Sequence, residues 1–367
     1  MGVFVLVQKY DIPDLPPDYD FETVAIYKAL AEASRHLAEV KGKASSIPNQ
    51  GILIDTLSLQ EAMASSEIEN IVTTHDELFK GDVFPEGLAT GPAKEVSLYR
   101  DSLRRGFDQL NQRGGLITNK TLIEMFQILK SRNDGFRKTP GTALASEKGG
   151  EIVYVPPQKP EEIEALMKAL ESFVNEPELS DLDPLVKMAI IHHQFESIHP
   201  FPDGNGRIGR ILNVLYLTKM GLLDIPILYL SREINITKPE YYRLLQSVRE
   251  EGNWEEWVIY LLDAISRTSQ ATLEIIEGIK IQMSEYKHRI RGEFSFYSQD
   301  LINNLFRHPY TRIEYLQNDI GVSRQTAAKY LDSLAEAGFV KKHKEGKDNY
   351  YINLALVELL MRISSKS

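Results

Sequence analysis

Apolar residues recur at intervals of three and four along most of the chain, which is the spacing of one buried helix face. The pattern predicts helices at residues 21–40, 56–68, 95–110, 120–129, 161–174, 184–195, 207–220, 239–251 and 253–289. It therefore predicts a mainly α-helical protein.

One segment departs from the helical pattern. Between residues 142 and 155, Gly149 and Gly150 separate two short apolar stretches, and two prolines follow. A glycine pair between apolar stretches is typical of a tight turn, so we expect a short β-hairpin there. We call this hairpin the flap.

The C-terminal residues 294–367 predict a different arrangement. The expected elements are, in order, a helix around Leu301, helices at 313–316 and 322–334, and strands at 340–344 and 349–353. This order resembles a winged helix-turn-helix domain, in which Gly321 makes the turn and Ser323 caps the second helix. The side chains that would contact DNA are Arg324, Gln325 and Lys329 on that helix and Lys341, Lys342, Lys344 and Lys347 on the wing.

The charge of the chain gives DNA binding little support. The chain carries 42 Lys and Arg against 52 Asp and Glu, a formal net charge of −10. Residues 294–367 have a net charge of only +2, against −12 for the rest. Domains dedicated to DNA are usually strongly basic, so DNA binding stays an open alternative.

The composition excludes several kinds of chemistry. The chain has no cysteine, which rules out disulfides, cysteine zinc sites, iron–sulfur clusters and thiol catalysis. Its first residues lack the features of a signal peptide, and no apolar run approaches the roughly 18 residues of a membrane span. We expect a cytoplasmic protein with no membrane partner.

The densest group of chemically active residues is HPFPDGNGRIGR, residues 199–210, between two predicted helices. Gly204 and Gly206 permit positive φ angles, so backbone N–H groups can converge on an anion at the start of the second helix. Arg207 and Arg210 lie three positions apart on its first turn, where both guanidinium groups can bind phosphate. Two arginines favour more than one phosphate.

Two further side chains of this loop suit phosphate chemistry. Asp203, next to a polyphosphate, can hold Mg²⁺, which prefers carboxylate, water and phosphate oxygens. His199 can act as a general base, because an imidazole is largely neutral near pH 7.

His192 and His193 on the preceding helix lack an acidic partner at metal-ligand spacing, so we interpret them as structural.

The string at residues 199–210 matches the Fic signature, His-x-Phe-x-Asp/Glu-Gly-Asn-Gly-Arg-x-x-Arg, at every specified position. The preceding helix, with His192, Phe195 and Glu196, and the flap also resemble that family. The resemblance covers roughly residues 21–262 and implies a Fic-type helical bundle.

The resemblance implies that the protein would transfer AMP from ATP, with Mg²⁺ as cofactor, and release pyrophosphate. The acceptor would be a Tyr, Ser or Thr hydroxyl of a target protein or of the protein itself. His199 would deprotonate the hydroxyl, Asp203 would hold Mg²⁺ and Arg207 would neutralise the leaving group. The other implied ATP-binding residues are Glu69, Gly204, Asn205, Gly206, Arg210 and Tyr241, of which Tyr241 would line the adenine pocket. The flap would pair with the target segment as an added strand.

A second stretch, SSEIEN at residues 65–70, resembles the family's inhibitory motif Ser/Thr-x-x-x-Glu-Gly/Asn. Ser65 and Glu69 lie four positions apart, on one helix face, and Asn70 completes the motif. The resemblance implies that Glu69 pairs with Arg210, so that ATP binds with its α-phosphate misaligned. In some relatives the same glutamate orients water for removal of AMP, which leaves a hydrolytic activity open.

These predictions divide the chain into an N-terminal helical region with the inhibitory helix (1–110), a Fic core (111–262), a connecting helix (263–293) and the winged helix-turn-helix domain (294–367). A homodimer is the expected assembly, both by resemblance and because symmetric dimers are the commonest.

Two alternatives stay open. One is transfer of another nucleotide moiety or of phosphate. Gly206 argues against phosphate, because the kinase-like Doc branch has Lys there. The other is a DNA-binding transcriptional regulator whose Fic domain only senses nucleotide.

Overall fold

A computed structural model describes residues 10–84, 91–145, 150–345 and 348–364. In chain order its elements are α1 (Val24–Ala44), α2 (Gly51–Ile68), α3 (His75–Val83), α4 (Pro92–Gln112), α5 (Asn119–Lys130), β1 (Leu144–Ala145), β2 (Ile152–Tyr154), α6 (Pro160–Asn175), α7 (Pro184–Ile198), α8 (Asn205–Lys219), α9 (Leu230–Ile236), α10 (Lys238–Glu251), α11 (Trp254–Glu293), α12 (Gln299–Arg307), β3 (Tyr310–Arg312), α13 (Ile313–Ile320), α14 (Arg324–Glu336), β4 (Lys341–Glu345), β5 (Asp348–Ile352) and α15 (Leu354–Ser364). The prediction of a mainly α-helical protein is confirmed. Four elements were not predicted: α3, α9, β3 and α15.

The chain divides into two compact units. The first contains Met1–Ala38, Leu98–Pro226 and Glu233–Arg267, and the second contains Glu39–Ser97, Ile227–Arg232 and Thr268–Ser367. The first unit therefore includes α5 to α8, α10 and the flap. The second includes α2, α3 and all elements from α12 onward.

The first unit is built around α7 and α8. Every residue of α7 from Leu185 to Ile198 is buried, so this helix is enclosed on all sides. A Cβ added at Gly209 on α8 would lie 2.7 Å from Glu196 Oε1 and 3.1 Å from Phe195 Cδ1 on α7. The two helices thus pack closely where glycine leaves room, and this contact fixes both ends of the loop between them.

The flap is a short antiparallel pair in the first unit. Leu144 of β1 lies opposite Tyr154 of β2, and Ala145 lies opposite Ile152. The predicted hairpin strands are confirmed, whereas Gly149 of the predicted turn lies outside the described residues.

The C-terminal part of the second unit has a three-stranded antiparallel sheet in the order β3-β5-β4. Gly321 follows α13 with φ +67°, and the Ser323 hydroxyl accepts the Thr326 N–H at 3.2 Å at the start of α14. Both local predictions are confirmed. Assignment of these elements to the winged helix-turn-helix class stays a prediction, and Lys347 lies outside the described residues.

Across the described ranges, no helix is both long enough and apolar enough to cross a membrane.

Candidate active site

The candidate site is the loop between the end of α7 and the start of α8. Helix α7 begins with Pro184 after an Asp183 cap, whose carboxylate accepts the Leu185 N–H at 2.8 Å. The helix ends where His199 adopts a left-handed conformation, with φ 49° and ψ 57°. A non-glycine residue in this region is uncommon and needs support from its surroundings.

Arg137 supplies that support. Its Nε donates to the His199 carbonyl at 2.8 Å, its Nη2 to the Ile198 carbonyl at 3.3 Å, and its backbone N–H to the Pro200 carbonyl at 2.8 Å. Arg137 as a whole residue is only 4% exposed. One buried residue therefore holds three consecutive carbonyls around the predicted base.

The start of α8 has the geometry expected for an anion site. Gly204 precedes the helix with φ 75°, and a Cβ at this position would lie 3.3 Å from Leu129 Cδ2. The first turn of α8 presents backbone N–H groups that have no acceptor within the helix. Glycine is needed here both for the backbone conformation and for the space beside α5.

Asn205 closes this loop. Its Oδ1 accepts the Phe201 N–H at 2.7 Å and its Nδ2 donates to the Phe201 carbonyl at 2.8 Å. The Phe201 ring stacks on Phe126, with ring centroids 4.4 Å apart and planes 8° apart. The Asn205 amide thus shapes the loop, and the predicted contact of this side chain with phosphate stays a prediction.

Asp203 is paired with Lys130, the last residue of α5. Lys130 Nζ lies 2.6 Å from Asp203 Oδ2, and the Asp203 side chain is 60% exposed. Partial burial raises the pKa of the Asp203 carboxyl, but the Lys130 hydrogen bond and charge, with Arg207, outweigh it and hold the pKa below its usual value. Asp203 is therefore an ionised, solvent-accessible carboxylate whose oxygens can ligate a metal ion.

Arg207 and Arg210 are both buried on α8, at 2% and 1% exposed. Burial, and secondly the positive charge of Arg210, lower the pKa of His192 to about 3. Two guanidinium groups of one helix thus lie inside the first unit, where water screens their charge little.

Tyr241 lies in the core of the first unit. It is 1% exposed, and its hydroxyl is 2.9 Å from His192 Nε2. Its ring packs on Trp257, with centroids 5.7 Å apart. Burial raises the pKa of the Tyr241 hydroxyl well above its usual value. The structure thus presents no open face of this ring, and its predicted contact with adenine stays a prediction.

The flap is anchored beside the end of α7. The Tyr154 hydroxyl donates to the Ser197 carbonyl at 2.8 Å, and Arg249 of α10 lies 3.9 Å from the centre of the Tyr154 ring. Gln246 of α10 donates to the Val153 carbonyl at 3.1 Å. Strand β2 is therefore tied to the segment that leads into His199.

The predicted inhibitory motif spans the end of α2, in the second unit. Ser65 is fully buried, α2 ends at Ile68, and Asn70 takes a left-handed conformation with φ 60°. Asn and Gly are the residues that tolerate this conformation best. The Gly/Asn position of the motif thus has a backbone explanation.

The C-terminal part of the second unit carries the predicted DNA contacts. Arg324, Gln325 and Lys329 are exposed on α14, as are Lys341 and Lys342 on β4. Lys342 Nζ lies 2.6 Å from Asp332 Oδ1, so this cation already has an acidic partner.

Three family models match the chain. They are the Fic/DOC family N-terminal model at residues 27–108, the Fic/DOC family model at residues 116–217, and the model of the C-terminal domain of SoFic-like protein adenylyltransferases at residues 282–356. The chain belongs to the Fic/DOC family.

Curated relatives of this Fic chain include a probable protein adenylyltransferase of Aquifex aeolicus, 29% identical over 219 residues, which are 58% of this chain and 60% of the relative. The protein adenylyltransferase Fic of Aedes aegypti is 33% identical over 159 residues, 41% of this chain and 30% of the relative. The chain thus spans 60% of the first relative's length and 30% of the second's, less than two thirds in both cases.

Solved Fic structures share the fold. A Fic family protein from Desulfovibrio desulfuricans superimposes with a TM-score of 0.57 and 20% identity, over 92% of this chain and 98% of its own. A Fic domain containing signaling protein from Bacteroides thetaiotaomicron gives a TM-score of 0.53 and 19% identity, over 66% and 97%.

Two site residues were missed from the sequence: Arg137 and Lys130. They lie 62 and 73 positions before their loop partners His199 and Asp203. Lys130 fits an ordinary basic residue at a helix C-terminus, and nothing in the sequence near Arg137 indicates its contacts, so only the folded structure reveals their partners.

Proposed function

We propose that this Fic protein transfers AMP from ATP to a hydroxyl side chain of a protein substrate. The observation that carries the proposal is the loop from His199 to Asn205, which joins a histidine held at the end of α7 to the start of α8, the candidate anion site. In-line attack on a phosphate requires a base and a phosphate site on the same side of the molecule, and one short loop joins the two candidates here. The names of the curated relatives give further support.

In the proposed reaction, His199 takes the proton of the target hydroxyl. The hydroxyl oxygen forms a bond to the α-phosphorus, and the bond from that phosphorus to the bridging oxygen breaks, so pyrophosphate leaves with the electron pair. Arg207, Arg210 and the first N–H groups of α8 bind the phosphate oxygens and stabilise the charge that moves onto the leaving group. The flap orients the target segment beside His199.

The residues also fit Mg²⁺. Asp203 is the exposed carboxylate of the loop, and one carboxylate with phosphate and water oxygens is a common magnesium ligand set. When bound, the ion would neutralise phosphate charge.

We further propose that Glu69 inhibits the transfer. Paired with Arg210, the Glu69 carboxylate would withdraw a phosphate ligand and leave the α-phosphate misaligned. The left-handed Asn70, two residues after the end of α2, supports the resemblance of residues 65–70 to the inhibitory motif. The same carboxylate is the candidate for orienting water in removal of AMP.

Intact-mass measurement after incubation with ATP and Mg²⁺ tests both proposals, on wild type, Glu69→Gly and Glu69→Gly/His199→Ala. We expect an added AMP in Glu69→Gly, less in wild type and none in the double variant. Addition of phosphate would overturn AMP transfer, and equal modification of wild type and Glu69→Gly would overturn inhibition. If no adduct forms, the same three proteins are assayed with radiolabelled ATP and a cell lysate as substrate, and no labelled protein would contradict the transfer.

DNA binding by the C-terminal part is the second candidate, favoured by the exposed Arg324, Gln325 and Lys329 on α14. It predicts a mobility shift of duplex DNA that weakens steeply with salt and is lost in Arg324→Ala. A shift that does not depend on Arg324 would contradict it.

A further inference from the structure

We propose that Lys130 is the counter-ion of Asp203 while no nucleotide is bound, and that it yields this carboxylate to Mg²⁺ when the metal arrives with ATP. Lys130 would then set the metal dependence of nucleotide binding. The proposal rests on the proposed function, which places ATP and Mg²⁺ at this loop.

The first support is the position of the ammonium group. Lys130 Nζ lies 2.6 Å from Asp203 Oδ2, on the carboxylate that is the candidate metal ligand. The Lys130 side chain is 18% exposed and that of Asp203 is 60% exposed. A Cβ at Gly204 would lie 3.5 Å from Lys130 Cδ, so the lysine stem is packed along the loop. The lysine is therefore held in place, whereas the carboxylate remains open to solvent.

The second support is the donor set around Asp203. In the ranges that the structure describes, no three His, Cys, Asp or Glu side chains are grouped as a metal site. Mg²⁺ is usually bound by one or two carboxylates together with substrate phosphates and water, so an ion at Asp203 would bind mainly together with a nucleotide. Before that, Lys130 is the cation that lies against the carboxylate.

The third support is charge balance. Phosphate oxygens that approach without a metal would meet the Asp203 carboxylate, and Lys130 reduces this repulsion. A divalent ion at the same carboxylate would neutralise its charge without Lys130. The ion must first displace the Lys130 ammonium group from the carboxylate. Removal of the Lys130 charge should therefore weaken metal-free binding and ease metal binding at once, which an ordinary phosphate-binding lysine would not do.

Lys130→Met removes the charge and keeps most of the stem. Lys130→Arg keeps the charge, and Lys120→Met removes a positive charge from the exposed other end of α5. The probe is an ATP analogue with a methylene group between the α- and β-phosphates, which cannot transfer AMP. Its affinity is measured by calorimetry in excess chelator and in saturating Mg²⁺, and Mn²⁺ uptake with the analogue is measured by electron paramagnetic resonance on the full chain.

In Lys130→Met we expect the Mn²⁺ concentration for half-saturation to fall about three- to tenfold, and metal-free affinity for the analogue to fall by a similar factor. Affinity in saturating Mg²⁺ should change less, and the two control variants should behave as wild type does. If Lys130→Met does not fold, Lys130→Gln should give the same shifts.

Equal losses with and without metal would make Lys130 a simple phosphate ligand and overturn the proposal, as would an unchanged Mn²⁺ requirement. Failure of the wild type to bind the analogue would contradict the proposed function as well. Normal binding without AMP transfer would contradict the proposed function alone.

Discussion

The Arg137 guanidinium donates from Nε to the His199 carbonyl at 2.8 Å, across 62 positions of sequence. Its Nη2 also donates to the Ile198 carbonyl, and the Arg137 backbone N–H donates to the Pro200 carbonyl, so Arg137 holds the left-handed turn at His199. Arg137 would therefore act as a positioning residue for the predicted base.

We therefore expect Arg137→Met in the Glu69→Gly background to lower kcat for AMP transfer by about tenfold to a hundredfold, because small displacements of a catalytic group are costly. The KM for ATP should stay within about twofold, and Arg137→Lys should recover part of the rate. The measurement is steady-state transfer with varied ATP. A parallel loss of ATP affinity would show that Arg137 maintains the whole loop rather than the orientation of His199.

Much of this fold could be predicted, because long helices with one buried face leave a periodic pattern. The missed elements are short or lack that pattern. Helix α3 has only nine residues, and the sequence feature that marks its start is a capping box. The Thr74 side chain accepts the Glu77 N–H, and the Glu77 side chain accepts the Thr74 N–H. Strand β3 has three residues, too few to show an alternation.

The residues of the candidate site likewise fall into those that could be predicted from the sequence and those that could not. His199 to Arg210 are consecutive and form a signature, so the loop could be found from the sequence. Arg137 and Lys130 act through contacts that only tertiary packing creates. Burial of Tyr241 could not be predicted either, since an aromatic residue on an amphipathic helix suits a core and a pocket equally well.

Gly209 should be intolerant of a side chain. In Gly209→Ala, the new Cβ would lie 2.7 Å from Glu196 Oε1 and 3.1 Å from Phe195 Cδ1. We expect a loss of about 1–3 kcal/mol in the free energy of unfolding, as is usual for overpacking, measured by urea titration. The control is Gly42→Ala on α1. A Cβ at this position would have no neighbouring side chain within 4 Å, so alanine should be neutral or slightly stabilising. Equal stabilities of the two variants would contradict close packing of α7 on α8.

Stability should fall in mild acid because of buried histidines. Burial and the charge of Arg210 lower the pKa of His192 to about 3, and burial lowers the pKa of His193 well below its usual value. Below about pH 6.5 the unfolded chain protonates both imidazoles, whereas the folded protein keeps them neutral until their lowered pKa values are reached. The free energy of unfolding is therefore unaffected by the titration of these histidines above about pH 6.5. Below that pH it falls by about 1.4 kcal/mol per pH unit for each histidine.

Urea titrations between about pH 7 and about pH 5 test this expectation. His192→Gln should reduce the pH slope of the unfolding free energy, whereas His288→Gln, at an exposed position, should leave it unchanged. An identical slope in His192→Gln and wild type would mean that the imidazole is charged in the folded protein, contrary to its buried position.

The last prediction concerns how α2 is held. Within the second unit, Arg307 Nε lies 2.6 Å from Asp55 Oδ2, and the Asp55 side chain is only 14% exposed. Further along α2, the Glu61 carboxylate accepts the Ser231 N–H at 3.0 Å and the Ser231 hydroxyl. Because the predicted inhibitory motif, residues 65–70, spans the end of this helix, the contacts that fix α2 should also fix Glu69.

Arg307→Ala should therefore raise AMP transfer about two- to fivefold, in line with the loss of a partly buried ion pair. Arg35→Ala, which removes an exposed pair with Glu32, is the control and should have no effect. In the Glu69→Gly background Arg307→Ala should add nothing, because the inhibition is already absent and the two changes act on one element. An equal gain in both backgrounds would show that Arg307 affects the rate by a route that does not involve Glu69.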